Sequence, residues 1–218
     1  MKLVKFIDEN LPMILEYLNN TFVLVLWATL LSLLIWIPVG IIISKNQKWA
    51  AAVMGTANVI FCIPSLALFT ILITVPALGI SRKSALTALV LYSMMPLVRS
   101  VYQGIKGVNQ AVIEAAKGMG MSSRRILFEI ELPLASPVIF SGFRVTVVMI
   151  TGISTIATYI GERNLGRLIS HGLQRQNMEM IVLGALLISI IAVILDSLLE
   201  LAGAKVVPKG LRLERARD

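Results

Sequence analysis

The chain has 218 residues, 57% of them hydrophobic and only 15% charged, with a mean hydropathy of +0.85. That leaves too little polar surface to cover a soluble core, so the sequence points to a membrane as solvent; at about 20 apolar residues per crossing it holds about five or six spans and excludes a large soluble catalytic domain. The 20 Lys and Arg against 12 Asp and Glu, a formal +8, are explained by basic loops beside anionic headgroups without invoking nucleic acid.

Residues 1–20 mix Lys2, Lys5, Asp8, Glu9 and Glu16 with apolar side chains and show no small-residue cleavage site, which predicts a retained amphipathic segment on the outer side rather than a signal peptide. The first span is expected at 21–44, an uncharged run reaching about 36 Å against a hydrocarbon layer of about 30 Å. Lys45-Asn46-Gln47-Lys48 ends it. The second is expected at 50–76, interrupted at Pro64, which removes a backbone donor and crowds the carbonyl of Ile60. Backbone groups freed at that depth require protein or a water-filled cavity, so Cys62-Ile63-Pro64-Ser65 is a candidate for a pathway lining. A kink that only fits packing stands beside that reading, because proline is ordinary in transmembrane helices. The single Cys62 sits in the apolar run, reads as packing and can form no internal disulfide.

A third span is expected at 84–103, holding Tyr92, Ser93, Pro96 and an Arg99 able to snorkel. The fourth is expected at 137–159, with Pro137 suited to a helix first turn, and the fifth at 181–203. Between them Leu165, Leu168, Ile169 and Leu173 are spaced like one face of a short surface helix. Residues 204–218 form a basic tail. Five spans put the termini on opposite sides. With the N-terminus outside, the inner side carries 12 Lys and Arg against 7 on the outer side, so the N-terminus is expected outside and the C-terminus in the cytoplasm, with Arg82 and Lys83 dissenting.

The connection at 109–133 carries the densest pattern. Glu114-Ala115-Ala116-Lys117 is a good helix former with small side chains, Gly120 ends that helix in a turn, Ser122 or Ser123 can cap a second short helix, and Pro133 is expected to stop it. Such a helix-turn-helix on the cytoplasmic face, small on one surface and charged at its edges, is shaped to seat in a groove of a partner.

The spacing Glu114-Ala115-Ala116, three residues, Gly120, nine residues, Ile130, one residue, Leu132-Pro133 resembles the signature loop of the membrane subunits of binding-protein-dependent ATP-binding-cassette importers. Ile63-Pro64-Ser65-Leu66-Ala67-Leu68, Gly104-Ile105-Lys106-Gly107-Val108, Leu132-Pro133-Leu134-Ala135 and Val207-Pro208-Lys209-Gly210-Leu211 resemble the osmoprotectant branch, whose permeases import glycine betaine, carnitine, choline and related quaternary amines. The likeness covers about Leu18 to Leu211. It departs at Gly161-Glu162-Arg163-Asn164-Leu165-Gly166, where that branch has a glycine-rich turn.

The resemblance implies an all-α integral membrane protein of the type I importer permease fold, with five transmembrane helices and a cytoplasmic coupling helix between spans three and four. It implies a second permease subunit, identical or paralogous, a cytoplasmic ATPase dimer that binds the ATP and magnesium, and an extracytoplasmic substrate-binding protein. Coupling to the ATPase then falls to Glu114, Ala115, Ala116, Gly120, Ile130, Leu132 and Pro133. The sequence itself offers no phosphate loop, since Gly79-Ile80-Ser81-Arg82-Lys83-Ser84 lacks a glycine before the lysine, so no cofactor and no catalysis are expected in this chain. His171 stands alone without metal-ligand spacing, so no metal is expected.

Polar groups inside the spans are candidates for the translocation path: Pro64, Ser65, Tyr92, Thr151, Ser154 and Thr155. Each hydroxyl has the alternative of bonding a carbonyl in its own helix. Arg144 and Asp196 fall at similar depth on neighbouring antiparallel helices, and either pair or snorkel separately. Other readings are an ATP-independent carrier or channel, for which paired broken helices in repeated halves are absent, an importer permease for another small solute such as an amino acid, or a membrane scaffold.

Overall fold

The computed structural model describes the backbone of residues 2–206 and the side chains of 6–203; the basic tail beyond them lies outside the described residues. In chain order the helices are α1 (Lys2–Ser44), α2 (Gln47–Cys62), α3 (Ser65–Ile73), α4 (Arg82–Lys106), α5 (Gln110–Gly118), α6 (Ser123–Ile126), α7 (Leu132–Ser154), α8 (Gly166–Gln174) and α9 (Met178–Val206). A π turn at Leu127–Glu131 joins α6 to α7, and a 3-10 stretch at Thr155–Ile160 follows α7. No strand occurs among the described residues. Four helical stretches are long and apolar enough to cross a membrane, and α2 with α3, bent by 98° at their break, makes up to five.

α4 is the central element, packed against α1, α7, α2 and α3. Its Ala88, Leu89, Leu97, Val98 and Val101 are fully buried. Lipid tails are as apolar as leucine, so helices associate in a membrane by close packing and hydrogen bonds rather than by expelling water. Both devices are present. A Cβ on Gly142 of α7 would lie 2.2 Å from the Cβ and Oγ of Ser100, and one on Gly40 of α1 would lie 2.6 Å from the Cβ of Val101. The Ser93 hydroxyl donates to the Ser32 hydroxyl at 2.6 Å, and the indole N–H of Trp36 donates to the Val90 carbonyl at 2.7 Å. Large apolar groups such as Trp27, Leu34 and Ile42 on α1 and Val193, Leu198 and Leu201 on α9 point away from the bundle, which suits an apolar solvent.

Several boundaries differ from the sequence reading. Residues 2–20 do not stand apart from the first span, because α1 runs unbroken through them. Its inward stripe of Ile14, Tyr17, Thr21, Leu24 and Ala28 is continuous, and Ile14 and Tyr17 pack with Leu165, Leu168, Met180 and Leu183. Pro133 does not stop the second loop helix. It sits in the first turn of α7, where the preceding π turn, closed by the Leu132 N–H on the Leu127 carbonyl, widens the helix ahead of the ring. Pro137 is correspondingly inside α7 rather than in a first turn. The short helix near Leu165 is less superficial than its spacing suggests: Leu165 and Leu168 are fully buried while Leu173 is exposed.

The Gly142 contact gives a direct test of the packing at the centre. Gly142→Leu must push α7 off α4 and is expected to cost about 1–3 kcal/mol or more, seen as loss of the monodisperse peak on detergent size-exclusion, whereas Gly55→Leu, whose Cβ position has nothing within 4 Å, is expected to leave that peak intact.

Candidate functional site

Pro64 stands between the two helices of the bent pair, α2 and α3. Ile63 is extended (φ −67°, ψ 127°), its N–H bonds the Ile60 carbonyl, and Pro64 caps α3. The carbonyl of Ile63 has left the helical ladder, and the hydroxyl of Tyr92 on α4 donates to it. Tyr92 is buried, and its ring meets Phe61 edge-on at 6.3 Å between centroids. Pro64 and Tyr92 are thus brought together at one corner, with Ser65 half-buried beside them. Cys62 is exposed rather than packed, on the side of α2 away from Ile60 and Ile63, which pack on the core. Thr151, Ser154 and Thr155 do not converge on that corner through their hydroxyls, which donate to the carbonyls of Val147, Thr151 and Gly152 in their own helix at 2.7–2.8 Å.

The loop between α4 and α7 is a helix-turn-helix. Asn109 caps α5 through its side chain on the Ala111 N–H, and Ser122 caps α6 on the Arg125 N–H. Between them the chain reverses at Gly120, whose φ of +80° is a left-handed conformation that a β-branched residue rarely adopts. The Met121 N–H returns to the Ala116 carbonyl at 3.1 Å, closing the end of α5. Val108, Ile113, Ala116 and Ile126, with Met121 and Ile130, form a small apolar cluster that holds α5 on α6. Glu114, Ala115, Gly118 and Gly120 are exposed along the outer edge, with Met119 at 75% and Phe128 at 65% exposure. Ile130, Leu132 and Pro133 instead are half-buried where the loop meets the bundle.

Arg144 of α7 donates to both carboxylate oxygens of Asp196 on α9, at 2.9 and 2.8 Å, and also to Glu200 at 2.9 Å. Glu200, one turn below Asp196, is a partner that sequence spacing alone did not single out. Two grooves flank α7 on this side. One, of about 340 Å³, holds Arg99, Gln103 and Ser141; the other, of about 480 Å³, holds Ser141, Arg144 and Asp196. Arg99, Gln103 and Ser141 are exposed polar groups on membrane-length helices, and Asn58 is an exposed polar group on α2 of the bent pair.

Two further ties went unread in the sequence. At the end of the bundle where α1 finishes, Lys45 forms an ion pair with Glu131, whose side chain is 8% exposed. At the opposite end, Arg82 meets Glu162 at 3.3 Å and Asn20 at 3.4 Å. There Asn164, fully buried, donates to the Ser154 carbonyl and accepts from the Gly166 N–H, so the turn that departs from the glycine-rich pattern is held by specific bonds. Among the described residues no group of three or more His, Cys, Asp or Glu side chains can hold a metal ion.

Residues 36–209 match the family described as the binding-protein-dependent transport system inner membrane component. The chain is 35% identical to the choline transport system permease protein OpuBB of Bacillus subtilis (strain 168), over 96% of each sequence. It is 38% identical to the osmoprotectant import permease protein OsmW of Salmonella typhimurium, over 87% of this chain and 89% of that one. In fold it matches an inward-facing structure of the MetNI methionine ABC transporter with a TM-score of 0.75, at 20% identity, over 92% of this chain and 97% of that one.

Tyr92→Phe removes the donor at the corner and leaves the Ile63 carbonyl without it, an expected loss of about 1–3 kcal/mol measured as a lower melting temperature in detergent. For the α7–α9 pair, Arg144→Asp and Asp196→Arg are each expected to reduce the folded yield, and the double swap to recover most of it; a double variant no better than the singles would rule out a pairwise contribution.

Proposed function

The chain belongs to the family of binding-protein-dependent transport system inner membrane components, and from that premise we propose that it is one permease subunit of an ATP-driven importer for a quaternary-amine osmoprotectant such as glycine betaine, carnitine or choline. The substrate class follows from relatives described as choline and osmoprotectant permeases that this chain covers almost end to end. The chain would be a type I permease of five spans, the bent pair α2 and α3 counting as one. The bias of lysine and arginine supports an outer N-terminus and a cytoplasmic C-terminus, which puts the helix-turn-helix loop in the cytoplasm.

The observation that carries the coupling role is the loop's construction. Ile113, Ala116 and Ile126 are consumed in holding α5 on α6, while the edge bearing Glu114, Ala115 and Gly120, with Met119 beside them, is exposed and fixed in shape by one left-handed glycine. A rigid, exposed edge fits the groove of a cytoplasmic ATPase dimer, which binds the ATP and magnesium. Ile130, Leu132 and Pro133 then root that edge in the bundle. A second permease subunit is supported by the exposed Asn58, Arg99, Gln103 and Ser141, because polar groups at membrane depth require protein or water against them. Substrate arrives from an extracytoplasmic binding protein. The path passes between the two subunits near the corner of Pro64, Ser65 and Tyr92, with Thr151, Ser154 and Thr155 on the neighbouring helix.

ATP binding draws the two ATPases together and with them the two loops, turning the permease pair outward; hydrolysis resets it. The cycle works only because the ATPase binds the two permease states with different affinity.

The test is uptake and ATP hydrolysis in vesicles holding the permease pair, ATPase and binding protein. Native complex is expected to accumulate glycine betaine, carnitine or choline only with ATP. Gly120→Val, which meets no atom within 4 Å but is strained at φ +80°, is expected to assemble while substrate-stimulated hydrolysis and uptake both fall about fivefold or more. Uptake without ATP would overturn the importer in favour of a carrier, and ATP-driven uptake of another solute would overturn the substrate class alone.

A further inference from the structure

The ion pair between Lys45 and Glu131 lies where force entering through the loop has to leave it. α5 packs on α6 through the cluster around Ile113 and Ile126, so movement of α5 is passed to α6. From α6 the chain continues without a break through the π turn into α7. Glu131 is the last residue of that π turn, and it is turned inward, its side chain 8% exposed. Lys45 belongs to the corner that joins α1 to α2. A π turn adds a residue to one helical turn and so redirects the side chains that follow it. Here it delivers a carboxylate to a corner 86 residues distant in sequence.

The surroundings single out this pair. It borders a cavity of about 270 Å³ between the loop and the ends of α1 and α4, with Lys106, Gln110, Lys117 and Ser123 around the rim. The loop and the corner are therefore not packed solidly against each other on this side, and the ion pair bridges them across a gap. On the other side Ile37 and Ile41 of α1 and Leu127, Leu132 and Ile139 pack against a common buried cluster of Val101, Ile105 and Ala135. α2 departs from the same corner toward the break at Pro64, where the freed carbonyl of Ile63 is held by Tyr92.

We propose that Lys45 and Glu131 form a strut that transmits movement of the loop to the corner between α1 and α2, and through α2 to the broken span. Both are positioning residues: neither touches substrate or nucleotide. The proposal rests on the reading of the loop as the ATPase-coupling element. Loop movement then reaches the bundle by two routes, along the continuous helix into α7 and across the strut into α2. With the strut cut, α7 still responds but α2 lags, so ATP is hydrolysed without a matching opening of the path.

The readout is substrate molecules taken up per ATP hydrolysed, in vesicles containing the complete complex. Lys45→Met and Glu131→Gln are expected to lower that ratio about fivefold or more, Lys45→Arg to retain it, and the double swap Lys45→Glu with Glu131→Lys to recover part of it. A role confined to holding the fold together would lower the amount of assembled complex and leave the ratio unchanged in what assembles. An unchanged ratio in both single variants overturns the strut, whatever happens to yield. If those single variants do not assemble, Glu131→Asp decides, because it keeps both charges and shortens the link by one methylene: a native ratio in it overturns the strut, and a depressed ratio supports it. Failure of the parent reading looks different, since the native complex itself would then take up substrate without ATP.

Discussion

Inside a bilayer a backbone carbonyl that leaves its helix has no water to turn to, and the corner at Ile63 and Pro64 satisfies that constraint with one side chain. The Tyr92 hydroxyl takes the place of the missing helical donor. For this to work, Tyr92 must be held still at the right depth, and the central position of α4 does that. The residues around it on α4, including Ala88, Leu89 and Leu97, are fully buried against neighbours on several sides. The close approach of α7 at Gly142 and of α1 at Gly40 locks α4 tightly between its neighbours. A broken span next to a fixed helix can change its angle at one place without the rest of the fold giving way.

The two ends of the bundle use charge differently from its middle. At one end Arg82, Glu162 and Asn20 tie the middle of α1, the start of α4 and the turn after α7, with Asn164 buried beneath. At the other, Lys45 and Glu131 bridge a cavity rather than a packed seam. In the middle, Arg144 is shared by Asp196 and Glu200. Charges at membrane depth are tolerated when they answer one another. The first network closes a rigid cap, and the second spans a gap that leaves room for relative movement, which is the difference expected between a lid and a lever.

Much of this was legible in the sequence, and for physical reasons. Uncharged runs bounded by lysine and arginine located the crossings, because burial of charge in hydrocarbon is costly enough to dominate every other local preference. Glu114 through Pro133 announced a helix, a turn and a second helix, because capping and glycine chemistry act within a few residues. What the sequence did not disclose depends on geometry between distant segments. Proline 133 was read as a stop because a π turn ahead of it, which removes the clash, leaves no compositional mark. The long reach of α1 through residues 2–20 came from packing against α8 and α9, which no local pattern encodes. Lys45 and Glu131 stand 86 residues apart, and only the folded chain brings them together.

Family membership, the exposed edge of the loop and the polar groups left uncovered on α2, α4 and α7 support one arrangement: two such chains facing each other, each engaged by an ATPase from the cytoplasm. The most direct measurement places a single reactive thiol on that edge. Met119→Cys in a Cys62→Ser background, with residue 119 at 75% exposure in the isolated chain, is cross-linked in the assembled complex, and Ile80→Cys, at the opposite end of the bundle, serves as the reference. The account predicts an adduct between position 119 and the ATPase, blocked from impermeant reagents added outside, with position 80 labelled from outside and never joined to the ATPase. Labelling of position 119 from outside, with no ATPase adduct, would contradict it.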